Sequence, residues 1–563
     1  MKSFTNEITA YVLKNALEFG KADPVRILQK LFQHGLEKKE IKTVMPQIIT
    51  LVKEINTLSL EQKEKLFTQF KHYLKEREEQ SSDLAELPNP SSTMVFRIAP
   101  FPSGAIHIGN AKTFLLNALY AEKYNAKLLL VMDDTIGSEE KPLLKEAYAL
   151  IEDALSWLKI YYQRPVVYKS DRLGIYYKYA LELIHKNKAY VCQCTQETLR
   201  KNREQGKECS CRNKKQTEQL ANWKTMFAAQ AGSAVLRIKT SMQHPNPAFR
   251  DRVLFKISER PHPRVGKKYR VWPALEMSWA IDDHLLNITH IIRGSDLQIE
   301  TDMEKYIWDI FSWEHPETIH TGLVAVEGIA TKISKSKAQH EVKSGTFRGW
   351  DDPRTWSIQS LKRRGIQPDA LRQFIKDIGL NAHDISIPID TLYAINRKII
   401  DADAPRVSFI ESPLRLEIKN LPKTKDYRQL NIPIHPDKKE TLPITVDKIS
   451  IAKKDAINHR GKEIRLLHFC NIKLSNAVNK IKIDATFLSK ENKDIPKINW
   501  VASPIACEIL MPDARITKGM IESTIKRLKN PGILQLERYG FVTFDKNEKR
   551  GSRETIKLWF AHH

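Results

Sequence analysis

His107-Ile108-Gly109-Asn110 stands where a strand-like run gives way to a helical pattern, and Lys332-Ile333-Ser334-Lys335-Ser336 follows far downstream. The start of a helix offers unpaired backbone N–H groups and the positive end of the helix dipole, so it suits an anion. Gly109 lets a ligand come close to the backbone, and the His107 imidazole can donate a hydrogen bond. Lys332 and Lys335 add positive charge on a short Ser-containing segment. These residue types fit a reaction in which negative charge gathers on phosphate oxygens, because preorganised donors and cations stabilise such charge. Either motif is short enough to recur by chance. Their joint presence, in this order and with a parallel-sheet pattern between them, carries the signal.

A second constellation is Cys192-x-Cys194 followed by Cys209-x-Cys211. Four thiolates in two close pairs can close a tetrahedral zinc site, and four protein ligands leave no open position, so such a site is structural. Four reduced loop thiols, or two disulfides, are the alternatives. Cys470 and Cys507 lie in strand-like runs and read as core residues.

These groups need elements to position them. Val95-Phe96-Arg97-Ile98 reads as a strand, Pro100-Phe101-Pro102-Ser103-Gly104 breaks it, and a helix is expected from about Gly109 to Tyr124. Leu128 to Met132 is a continuous apolar run, the pattern of a parallel strand buried on both faces. It ends in Asp133-Asp134-Thr135, and in open α/β sheets ligands bind at the carboxyl ends of strands. The sheet pattern resumes at Ile288 to Gly294, after an irregular stretch from about 170 to 270 that reads as an insertion. The first 80 residues show helical spacing, as in Ile8, Val12, Leu13 and Leu17, and end in the charge run Lys75 to Glu79, which reads as a solvated face. Beyond about 396, short strand-like runs such as Leu414 to Ile418, Glu463 to Leu467 and Gly540 to Phe544 suggest one or two β-barrels.

The chain has 563 residues, too many for one core. Its net charge of +24 suits a polyanionic partner such as RNA or DNA. No apolar run is long enough for a membrane span, the N-terminus lacks the apolar core of a signal peptide, and six cysteines do not make a secreted disulfide framework. A cytoplasmic protein with reduced thiols is expected.

From Arg97 to its C-terminus the chain resembles the archaeal-type glutamyl-tRNA synthetases, class I enzymes that share a subclass with the glutaminyl enzymes. The resemblance rests on Arg97-Ile98-Ala99-Pro100-Phe101-Pro102-Ser103-Gly104 before the His-Ile-Gly turn, on the Lys-Ile-Ser-Lys-Ser segment, and on Asp282-Asp283-His284-Leu285 and Arg293-Gly294-Ser295-Asp296. Gly349-Trp350-Asp351-Asp352-Pro353-Arg354, Asn396 to Asp401 and Leu536 to Phe541 complete it. It implies ATP with Mg²⁺, handled by Ser103, Gly104, His107, Gly109, Asn110, Ser334 and Lys335, with Lys332 as a lesser helper. It implies that Arg97 and Arg293 meet the glutamate side-chain carboxylate, since guanidinium forks match carboxylates, and that Asp133 meets the α-ammonium. Similar cysteine knuckles occur in the family's insertion domain, which favours zinc at Cys192, Cys194, Cys209 and Cys211.

Three positions depart from the family's pattern. Asn110 replaces a histidine and can donate a hydrogen bond but carries no charge. Leu275 replaces a tyrosine that would touch the amino acid, which leaves Glu276 or water to serve the pocket. Val131 replaces a common arginine.

The expected architecture is multidomain. It comprises an N-terminal helical domain (1–80), a linker (81–93), a Rossmann-like α/β catalytic domain (94–170 and 271–344) and an inserted acceptor-stem-binding domain with the zinc knuckle (171–270). A helical stem-contact domain (345–395) and anticodon-binding β-barrels (396–563) follow. The expected activity is ATP-dependent formation of glutamyl-adenylate and transfer to the terminal ribose of tRNA-Glu. Charging of tRNA-Gln with glutamate is left open. A glutaminyl enzyme and a non-catalytic tRNA-binding paralogue are the rivals. The helical N-terminal domain is expected to bind tRNA, another protein or nothing.

Overall fold

The computed structural model describes residues 4–31, 34–36, 40–74, 83–136, 141–328, 335–479, 481–528 and 531–563. It divides into two compact units, Met1–Asp83 and Leu84–His563. The charge run 75–79 and the first residues of the expected linker lie outside the described residues.

The first unit is helical: α1 (Thr5–Phe19), α2 (Pro24–Leu31), α3 (Ile41–Thr57) and α4 (Leu60–Phe70). Their apolar stripes meet in a core of Ile8, Val12, Leu13, Ile27, Ile48 and Val52. Ser59 and Gln62 form a capping box that fixes where α4 begins, each satisfying an end donor of the other.

The second unit is built on a five-stranded sheet. In chain order its first elements are β1 (Val95–Ile98), α5 (Ile108–Lys123), β2 (Lys127–Met132), α6 (Lys145–Trp157) and β3 (Gln163–Tyr168). Next come α7 (Leu173–His185), β4 (Ala189–Cys192), α8 (Gln196–Gln205), α9 (Gln216–Met226), β5 (Val235–Ile238), β6 (Val253–Ile257) and β7 (Val271–Pro273). After these run α10 (Leu275–Leu285), β8 (His290–Gly294), α11 (Gln298–Phe311) and β9 (Glu317–Thr321). The sheet order is β3-β2-β1-β8-β9, all pairs parallel, so the chain runs outward from β1 on one side and resumes beside it with β8. That reversal next to β1 is the switch point at which such sheets bind ligands. Strands β4 to β7 form a separate four-stranded antiparallel sheet; β4 to β6 lie in the interval read as an insertion, and β7 falls just past its expected end at 270.

The chain continues through β10 (Val324–Glu327), α12 (Lys335–Lys343), α13 (Ile358–Arg364), α14 (Pro368–Ile378), β11 (Ile385–Pro388) and α15 (Ile389–Ile400). The stretch 345–395 was expected to be helical. It also holds β11, which pairs in parallel with β10, because Ile385-Ser386-Ile387-Pro388 alternates with the period of a strand. The expected helix after the His-Ile-Gly turn is α5, displaced by one residue at each end.

Two seven-stranded sheets follow. In one, Arg406–Val407 and Phe409–Glu411 are the opposite edges, yet a single residue separates them in the chain. In the other, Lys497–Ile498 and Trp500–Ala502 stand in the same relation. Edges joined by one residue force each sheet to curl back on itself, so both are near-closed barrels.

Arg364 ties α13 to the first barrel. It is fully buried, stacks on Trp356 at 4.8 Å, and donates to the carbonyls of Phe560 at 3.2 Å and Ala561 at 2.8 Å and to the Tyr393 hydroxyl at 2.8 Å. Replacing Arg364 by alanine leaves two buried carbonyls without their donor. We expect the second unit to lose at least about 2 kcal/mol, seen as a lower midpoint in urea unfolding. An unchanged midpoint would show that the barrel docks without this residue.

Candidate active site and cysteine cluster

The break after β1 places the first motif. Asp133 N–H donates to the Pro100 carbonyl at 3.1 Å and Leu144 N–H to that of Pro102 at 2.9 Å, so the Pro-rich loop is laid across the end of β2. Gly104 has φ +144°, and a Cβ there would lie 2.2 Å from the Trp350 ring. The Gly-Trp-Asp-Asp-Pro-Arg segment thus depends on glycine to pack its tryptophan on this loop. Trp350 is thus a packing residue. Asp352, fully buried, caps the following turn by accepting from Arg354 and from the Arg348 N–H.

His107 is the N-cap of α5. Its Nδ1 accepts from Gly109 N–H at 3.1 Å and Asn110 N–H at 3.4 Å. Accepting at Nδ1 puts the proton of the neutral ring on Nε2. His107 is therefore both a cap and a ring with a fixed donor, and the two readings of this residue are compatible. Ser103, in the loop before it, is buried, and the Ile108 N–H donates to the Trp356 carbonyl at 3.1 Å, holding the helix start against the segment before α13. Lys332 and Ser334 lie outside the described residues. Lys335 is the first residue of α12, and its side chain also lies outside them.

The strand ends converge on one indole. Trp279, on α10, is 6% exposed. The guanidinium carbons of Arg97 (β1) and Arg293 (β8) lie 4.8 Å and 4.3 Å from its ring centroid, and the Lys169 ammonium lies at 4.9 Å. Three cations on one ring are tolerable because the ring face is electronegative and because each cation has a carboxylate. Arg97 is held bidentately by Asp283, with Nη2 to Oδ2 at 2.8 Å. Burial opposes its charge, but Asp283 prevails and holds its pKa above the ordinary value. Lys169 meets Asp133 at 2.9 Å. Arg293 Nη1 donates to Glu304 Oε2 at 2.8 Å and Thr301 Oγ1 at 2.9 Å. Burial pushes the Glu304 carboxyl up to about 7 against the pull of Arg293.

Arg97, Asp133 and Arg293 are thus brought together as the sequence suggested, but none is an open charge. Their partners Lys169, Asp283 and Glu304, and the tryptophan between them, were not among the candidate residues. Asp283 lay in a stretch already singled out. The others carried no local signal, because their roles arise only when distant strand ends meet.

Glu276 lies elsewhere. It is buried, pairs with Arg252, and its pKa is raised by burial. Arg252 also meets Glu300 at 2.7 Å. Glu276 and Arg252 border a cavity of about 490 Å³ whose wall includes Thr135, Arg203, Lys256 and Leu275. Three cations in that wall suit an anionic group, and Leu275 gives it an apolar side. Lys112 is a further buried cation. It is pinned to Thr321 Oγ1 and the Gly322 carbonyl, both at 2.7 Å, so it fastens α5 to the end of β9.

The four clustered cysteines converge as expected. Their Sγ atoms all lie within 4.8 Å of one another, with Cys192–Cys209 at 3.6 Å and Cys194–Cys211 at 4.0 Å. All are free thiols, which sets aside the disulfide alternative. Four sulfurs around a tetrahedral zinc at ~2.3 Å stand roughly 3.8 Å apart, so the donor set and its spacing fit that ion. Arg237 Nη1 lies 3.9 Å from both the Cys192 and Cys209 sulfurs, and the hydrogen bond from Cys192 holds the Cys209 thiol down to about 5.

The profile described as "tRNA synthetases class I (E and Q), catalytic domain" matches residues 93–402. Two anticodon-binding-domain profiles of the same group match 404–488 and 488–545. A protein of Pyrococcus furiosus named glutamate–tRNA ligase is 39% identical over 96% of this chain and 96% of its own length. One of the same name from Methanocaldococcus jannaschii is 35% identical over 97% and 98%, and one from Pyrococcus abyssi is 38% identical over 98% of each.

The geometry around Trp279 yields a stability prediction. Asp283→Ala leaves Arg97 buried without its counter-charge, which typically costs about 3–5 kcal/mol. Denaturant titration should register most of that loss, whereas a change under about 1 kcal/mol would mean that Arg97 behaves as a solvated charge.

Proposed function

The chain belongs to the class I tRNA synthetases of the glutamate and glutamine group, and on that basis we propose that it is a glutamate–tRNA ligase. It forms glutamyl-adenylate from glutamate and ATP and passes the glutamyl group to the terminal ribose of tRNA-Glu. The observation that carries this reading is the near full-length likeness to relatives of that name. Magnesium accompanies ATP and offsets charge on the phosphates.

The chain's own residues take the following parts. The α5 N-terminus with Gly109, Asn110 and the His107 Nε2–H receives the α-phosphate, where a helix start favours negative charge. Ser103 and Gly104 shape the loop before it. Lys335, aided by Lys332 and Ser334, neutralises the departing pyrophosphate. Asp133 orients the α-ammonium, with Lys169 as its resident partner. Arg97 and Arg293 face the side-chain terminus, and Glu276 braces the wall through Arg252. The four cysteines hold one zinc that staples the end of β4 to the segment around Cys209. The barrels take the anticodon arm. The N-terminal helices bind tRNA or another protein.

A glutaminyl enzyme is the second reading, and one observation favours it. Arg293 already has a carboxylate partner in Glu304, so its charge is offset before any substrate arrives.

Aminoacylation of purified tRNA-Glu and tRNA-Gln with each amino acid separates these readings. Glutamate on tRNA-Glu is the expected product. Absence of charging, together with no ATP–pyrophosphate exchange in the presence of tRNA, would sink the enzyme reading. Lys335→Ala should lower turnover on the order of a hundredfold with little change in the KM for glutamate. Protein purified without chelator should carry about one zinc per chain. Four freely reactive thiols with no metal would defeat the zinc assignment.

A further inference from the structure

The Arg293 fork is half used. Nη1 is engaged by Glu304 and Thr301, while Nε and Nη2 have no hydrogen-bond partner among the described residues. Glu304 Oε1 and Trp279 Nε1 are also buried without a partner there. Unpaired buried donors and acceptors are costly, so their concentration in one place marks where a ligand group is accommodated. Arg97 differs, because Asp283 takes it bidentately. Arg293 keeps two of its three guanidinium nitrogens buried without a partner among the described residues.

The charges around Trp279 also balance. Arg97, Lys169 and Arg293 face Asp283, Asp133 and Glu304, one carboxylate for each cation. A substrate side chain that brings its own carboxylate adds a negative charge to a site with no surplus positive charge. An amide adds none.

We propose that Glu304 decides which amino acid this site accepts: it is an internal counter-ion of Arg293, so a substrate carboxylate that takes the open Nε and Nη2 gains the full guanidinium charge only when Glu304 is neutralised. The inference rests on the reading of Arg293 as the side-chain contact. Glu304 lies one helical turn beyond Thr301 on α11, so both reach Arg293 from one side, and the helix rather than a loop sets the competition.

The competition depends on protonation. With its carboxyl pushed up to about 7, Glu304 loses its charge as pH falls through neutrality and leaves Arg293 to the substrate. The charged groups facing it are Arg293 from β8, Arg97 from β1 and Asp283 from α10. His320 from β9 contacts Thr301 at 3.0 Å, but burial lowers its pKa below the ordinary value, so it stays neutral where Glu304 titrates.

The test is steady-state charging of one tRNA with glutamate and with glutamine, by the parent and by Glu304→Gln, between pH 6 and 8.5. In the parent, the KM for glutamate should rise above neutral pH, approaching about tenfold per pH unit, with kcat nearly constant and the KM for glutamine flat. Glu304→Gln should flatten the glutamate profile and lower that KM by about tenfold at pH 8, moving the ratio of specificity constants toward glutamate. The parent profile needs no variant, so a poorly folding mutant does not shelter the idea. Identical pH profiles for glutamate and glutamine in the parent would overturn it, as would an unchanged ratio in the variant. A parent that charges neither amino acid would instead overturn the functional reading itself.

Discussion

Everything at the carboxyl edge of the parallel sheet is governed by the burial of Arg97 and Arg293 against Trp279. A guanidinium cannot shed its proton, so burying one requires a counter-charge and a surface that tolerates cations. Asp283 and Trp279 come from α10, Glu304 from α11, and Lys169 from the turn after β3. These elements, together with β1 and β8, must therefore arrive in register before either arginine is stable. The order β3-β2-β1-β8-β9 is what brings β1 and β8 side by side and lets their two arginines share one ring.

The same constraint shapes function. A site that carries its own matched carboxylates is stable without substrate, but it offers a glutamate side chain a contested partner. Selection among amino acids then depends on how readily the resident carboxylate yields, rather than on the presence of an arginine. The helix start at His107 is different in kind. Its donors are backbone groups aimed by α5, and those of Gly109 and Asn110 are held by the neutral ring nitrogen of His107 rather than by a carboxylate. Amino-acid choice and phosphate handling are thus built on different physics within one sheet edge.

Much of this was legible in the chain. Leu128 to Met132 gave away a buried parallel strand, Pro100 to Gly104 the break before a ligand-facing helix, and the two Cys-x-Cys pairs their convergence, because each signal is local. The short alternating runs after residue 396 indicated barrels. Their closure showed only in the structure, since it follows from which strands are edges. Glu304 stayed hidden for a similar reason. On α11 it is one acidic residue among several, and nothing nearby says that it faces Arg293. Trp279 carried no signal of its own, and only the meeting of β1, β8 and the turn after β3 makes it a platform for three cations. The strand β11 was missed because it is short and sits between two well-formed helical patterns.

The most direct measurement is the proton balance of glutamate binding to the tRNA-bound protein, by calorimetry in two buffers of different ionisation enthalpy. With Glu304 resident on Arg293, binding at pH 7.5 should draw a net fraction of a proton from solution, and this uptake should fade toward pH 6, where Glu304 is already protonated. Glutamine should bind without it. Glutamate binding with no proton uptake at either pH would contradict the picture of a resident counter-ion that must yield.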